Sequence, residues 1–173
     1  MIPDAGQAAM LVRATARVSA VILAGNLVVA ARRVRDHDPA REYDLATFIA
    51  FIVSHTIHFA CVVLLIAATR GGTIGARASD APVVAVGILF YAACAAVLRA
   101  KLRATNDWER PKDRRIEVSL LVAIWLAFFQ AYITRPLQWW FFSALALVLL
   151  YALARFVSAA LRSRHLPIPM RTP

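Results

Sequence analysis

Two histidines sit inside an otherwise apolar stretch of this chain, in the phrase Ser54-His55-Thr56-Ile57-His58-Phe59. Residues three apart share one face of a helix, so the two imidazoles point the same way. Neutral imidazole ligates haem iron, zinc or copper and also relays protons. Arg13 and Arg17 are a second pair, four residues apart on another apolar stretch. A guanidinium at membrane depth needs an anionic partner or water. Haem propionates, a lipid phosphate or a quinone oxygen would serve, and snorkelling to the surface is the plainer alternative. Lesser polar features are Asn26, Tyr91, Gln130, Tyr132 and Glu117. Asn26 is expected to bond across helices, Trp125 to pack, and Glu117 to complement a helix dipole.

These groups need elements to hold them, and the composition says which kind. Of 173 residues, 61% are apolar and only 17% are charged. Soluble domains average about 45–50% apolar and about 25% charged. The apolar residues fall in long blocks, which excludes a disordered chain and argues against an ordinary soluble enzyme. Spanning the hydrocarbon core takes about 20 apolar residues in a helix, because lipid offers no partner to an open backbone. Five blocks qualify: Met10–Ala31, Leu45–Ala68, Ala81–Leu98, Ile116–Thr134 and Leu137–Ala160. The fold class expected is all-α, a single transmembrane helical bundle over residues 1–173. The third block is short and Ala-rich and is expected to pack inside the bundle. Asp80 and Pro82 suit a helix start, Gly71, Gly72 and Gly75 a flexible connection, and Arg135-Pro136 a short turn.

Charge sets the orientation. Of the 20 basic residues, 14 fall on one side of a five-span topology. They are Arg32, Arg33, Arg35 and Arg41, the seven from Arg99 to Arg115, and the three from Arg162 onward. Five fall on the other side, and Arg155 lies inside the last block. The positive-inside rule then puts the C-terminus in the cytoplasm and the N-terminus outside. The net charge of +10 is thus a topology signal and an attraction to anionic lipid, with no nucleic-acid partner. By helical rise, His55 lies roughly 15 Å and His58 roughly 19 Å from the cytoplasmic end of the second block. Arg17 falls at the level of His58. The start of the chain shows no secretory signal. Cys61 and Cys94 fall inside blocks and read as small buried hydrophobes.

Three phrases resemble a known family. Arg13-Ala-Thr-Ala-Arg17-Val-Ser19, Ser54-His55-x-x-His58-Phe59 and Trp125-x-x-Phe128-x-Gln130-x-Tyr132, with Arg135 after it, are similar to phrases in small bacterial proteins of the ferric-reductase-like transmembrane family. The resemblance implies a multi-pass protein of the bacterial inner membrane. It further implies b-type haem held between helices and electron transfer within the bilayer. His55 or His58 would be one axial ligand, and Arg13 and Arg17 would face the propionates. Electrons would come from another membrane or redox protein, because no connection is long enough for a flavin or nucleotide domain.

The chain departs from that pattern on the fourth block, which has no histidine. Alignment on Trp125 and Tyr132 puts Glu117 there instead. His37 lies in a charged connection and His165 in the tail. Two histidines three apart on one helix cannot bind opposite faces of one haem. Four options remain: five-coordinate haem, a ligand from a partner chain, a non-haem metal at His55 and His58, or a member that has lost its haem. A non-catalytic accessory subunit and a lipid- or quinone-binding protein stand as alternatives. The sequence does not establish an enzyme.

Overall fold

The structure is a computed structural model that describes residues 4–36, 41–70, 81–103, 111–133 and 139–162. Every element among these residues is a helix: α1 (Ala5–Asp36), α2 (Arg41–Thr69), α3 (Ala81–Arg103), α4 (Pro111–Ile133) and α5 (Trp139–Arg162). Asp80, the glycine-rich connection, the Arg135-Pro136 turn, His37 and His165 lie outside the described residues. Among the described residues, four helices are long and apolar enough to cross a membrane: Ala5–Arg32, Glu42–Thr69, Val84–Arg103 and Ser143–Leu161. These correspond to the first, second, third and fifth expected spans. The fourth expected span is a helix, α4, but is not among these four.

The helices extend past their apolar blocks. α1 continues through Arg32, Arg33 and Arg35, and α3 through Arg99, Lys101 and Arg103. Ala, Arg and Lys are good helix formers, so the end of the apolar block does not end the helix. α4 opens on Pro111, well before its apolar block. Proline suits a first helical position, where its missing N–H is not needed.

Around the bundle each helix packs on its sequence neighbours, and α5 closes the ring against α1. The most enclosed helix is α1, whereas α3 is much less so. This corrects the expectation that α3 packs inside. The reason is visible along α1, where Ala20, Leu23, Ala24, Leu27, Ala30 and Ala31 are all buried. That stripe recurs every three or four residues, and its alanines let α2 and α5 approach closely. α3 instead exposes Val84, Val86, Ile88 and Leu89.

The register of the α1–α2 pair can be read from three hydrogen bonds. Thr15 meets His58, Ser19 meets Ser54, and Asn26 meets Thr47, at 3.0, 2.9 and 2.9 Å. Their sequence separations are 43, 35 and 21. The separation shrinks by twice each step along α1, as an antiparallel pair in constant register requires.

Candidate functional site

Two polar layers occupy the bundle, and they are built on the same helix faces. In the first layer, Lys101 Nζ donates to both carboxylate oxygens of Asp44 at 2.7 Å and to Glu117 Oε1 at 2.8 Å. The Lys101 and Asp44 side chains are fully buried and Glu117 nearly so. Asn26 Nδ2 donates to Asp44 Oδ1, to the Asp44 carbonyl and to Thr47 Oγ1. Three helices therefore meet at one ammonium, and α1 joins them through Asn26. A buried charge is tolerated only when paired and hydrogen-bonded, and this one makes three charge-assisted bonds. We refer to it as the clasp.

In the second layer, the His55 ring lies 4.2 Å from Phe90, 5.3 Å from Phe128, 6.0 Å from Phe51 and 5.4 Å from His58, between centroids. His55 Nδ1 is buried and has no hydrogen-bond partner. His58 Nδ1 is 3.0 Å from Thr15 Oγ1. Thr15 has one hydroxyl proton, and Leu11 O at 2.8 Å takes it. In the tautomer with Nδ1–H, His58 donates to Thr15 and carries its lone pair on Nε2. Tyr91 closes the rim, its hydroxyl donating to Thr56 Oγ1 at 3.1 Å.

Members of the two layers correspond one to one. Asn26 and Thr15, Thr47 and His58, Asp44 and His55, Lys101 and Phe90, and Glu117 and Phe128 are each eleven residues apart. Eleven residues make three helical turns, so the layers are separated by about 16 Å along the bundle. Phe48 and Phe51, both fully buried, fill the space between them. Lys101 Nζ stands 5.4 Å over the Phe48 ring, and Phe48 lies 6.0 Å from Phe51.

Of the residues singled out from the sequence, His55 and His58 come together as expected for one helix face. Arg17 is half-buried and Arg13 exposed. The α1 group bonded to His58 Nδ1 is Thr15, two residues from Arg17. Glu117 was read as a dipole partner near the start of its helix; it is instead a ligand of Lys101, three turns from the level of His55. Asp44 and Lys101 were missed. Each stands at the edge of an apolar block, where a charge reads as a solvated boundary. Asn26 bonds across helices as expected. Trp125 packs: its Nε1 donates to Leu149 O at 2.8 Å, and its ring stacks on Phe129 at 4.7 Å. Cys94 is a buried core residue and Cys61 is half-buried. Gln130 is exposed, and the Tyr132 side chain lies outside the described residues.

The donor set can be tested against a haem. His58 and His55 offer axial nitrogens from one helix only. The side chains facing His55 from α3 and α4 are Phe90 and Phe128. Among the described residues no second imidazole stands opposite. The described donor set fits one axial bond and not two. No group of three or more His, Cys, Asp or Glu side chains among the described residues is placed to hold a metal ion.

Comparison with family models, curated proteins and solved structures finds no match. Among the described residues the chain is a bundle of five helices, four of them long and apolar enough to cross a membrane. The likeness to the ferric-reductase-like family rests on the sequence phrases alone.

Proposed function

We propose that this chain is a multi-pass membrane protein that binds b-type haem on one face, with His58 as the axial ligand and His55 beside it. The supporting observation is the Thr15–His58 hydrogen bond. A metal-ligating histidine characteristically donates its other ring N–H to a fixed acceptor, which sets the tautomer and orients the ring. With Nδ1–H on His58, Thr15 would do this for it. Bound haem would supply one-electron chemistry, its potential tuned by axial ligand, polarity and burial. The chain's own contribution is to orient the His58 imidazole through Thr15 and to keep the neighbouring His55 among the apolar rings of Phe51, Phe90 and Phe128. Arg17, half-buried on α1, lies about 200° around the helix from Thr15 and is left out of the proposed site.

The experiment is an absorption spectrum of detergent-purified protein expressed with added haem precursor. A Soret band is expected, lost in His58→Ala and weakened in Thr15→Val. Haem-replete protein with no visible absorbance overturns the proposal. A second reading, a non-catalytic subunit of a membrane complex, is favoured by the clasp, which ties four helices without reference to any ligand. It predicts a stable partner on gentle extraction and full tolerance of His58→Ala.

A further inference from the structure

The C-terminal parts of α1 and α5 enclose a groove of about 210 Å³ lined by Ala31, Arg32, Tyr151, Arg155, Ser158 and Ala159, with Ala154 beside them. Its floor is made of small residues and its polar groups are two guanidiniums and two hydroxyls. Arg155 lies 6.0 Å over the Tyr151 ring. Arg32 and Arg155 are both exposed. α5 carries no acidic residue anywhere along Trp139–Arg162, and none lines the groove. Arg155 stands seven residues before the last residue of α5, roughly 10 Å down the helix axis. An arginine at such depth in a membrane helix needs an anionic partner.

We infer that this groove is a binding site for the phosphate of an anionic glycerophospholipid. Guanidinium forks match phosphate oxygens in pairs of parallel N–H···O bonds. Two forks from neighbouring helices suit one phosphodiester. The Ser158 and Tyr151 hydroxyls are placed for the remaining oxygens or the glycerol. The volume equals roughly seven water molecules at about 30 Å³ each, which is room for a phosphodiester and the first glycerol carbons. Basic pockets between helices are a known means of recognising anionic headgroups. The inference rests on membrane insertion and not on haem, since the groove lies on α1 and α5, away from His55 and His58.

The test is native mass spectrometry of the full chain in micelles, titrated with phosphatidylglycerol or with phosphatidylcholine. Wild type should retain phosphatidylglycerol at least about tenfold better. The double variant Arg32→Gln/Arg155→Gln should lose that preference, while Arg155→Lys, which keeps the charge but not the fork, should lose only part. Circular dichroism and a monodisperse profile of the double variant check that it folds. Excess inorganic phosphate should not displace the lipid. Equal retention of both lipids by wild type, preference kept in the double variant, or full displacement by phosphate would each overturn the assignment. The haem spectrum serves as an independent readout, so failure here is distinguishable from failure of the haem proposal.

Discussion

Lys101→Met is the sharpest perturbation of the bundle. The substitution removes one ammonium of similar length and leaves the apolar stem. Three hydrogen bonds of 2.7–2.8 Å go with it. Asp44, whose side chain is fully buried, and Glu117, at 6%, then lose the cation they share. Removing one partner of a buried ion pair costs about 3–5 kcal/mol, mostly because the remaining charge is stranded. For a chain of this length each kcal/mol moves the thermal midpoint by about 2–4 °C, so a fall on the order of 10 °C is expected. The triple variant Asp44→Asn/Lys101→Met/Glu117→Gln strands no charge. It should recover at least half of the loss, because replacing a whole buried ionic group is often near neutral. The assay is thermal unfolding in one fixed detergent, followed by circular dichroism and by aggregation onset. A Lys101→Met protein as stable as wild type, or a triple variant less stable than the single one, would falsify the reasoning.

Other expectations follow from single contacts. Thr15→Val keeps the shape of Thr15 but removes its bond to His58 Nδ1; the stability cost should be only about 0.6 kcal/mol, up to about 1.7, so any larger loss of haem is a ligand effect. Trp125→Phe deletes the Nε1 bond to Leu149 O and should cost a similar amount in the same thermal assay. Gly87 and Gly25 should respond oppositely. A Cβ at Gly87 meets the Phe59 ring at 3.2 Å, whereas nothing lies within 4 Å of one at Gly25. Gly87→Leu should therefore destabilise by about 1–3 kcal/mol through overpacking, and Gly25→Ala should be neutral or gain up to about 1 kcal/mol.

Much of this architecture is legible in the residue string. Apolar blocks gave five helices, since a run of about 20 apolar residues has few other uses. The spacing of His55 and His58 gave a shared face, because periodicity within one helix is a local property. The ends were harder, as with Arg99-Ala-Lys101-Leu-Arg103, where charged residues with good helix propensity prolong α3. The clasp was hidden for a different reason. Whether Lys101 faces solvent or Asp44 depends on the register between α2, α3 and α4, which no single segment encodes. One trace of it was present: Asp44 precedes His55 by three full turns, so a buried His55 face implies a buried Asp44. The register also moved Thr15 into place opposite His58, a pairing that two residues on different helices cannot announce in advance.

The aromatic spacer between the layers has a consequence for traffic through the molecule. Phe48 and Phe51 are sealed from solvent and bridge the distance from Lys101 to His55 with rings alone. Ser19 and Ser54 bond to each other one turn from Thr15 towards the clasp, and seven residues of α1 and of α2 separate them from Asn26 and Thr47. Seven residues are about 10 Å of helix, filled by Leu23, Phe48 and Phe51, so proton exchange with the imidazole pair is expected to be slower from the clasp than by way of Thr15 or the Tyr91 rim. The imidazoles and the ammonium thus share helix faces and an eleven-residue repeat, yet the rings of Phe48 and Phe51 insulate one from the other.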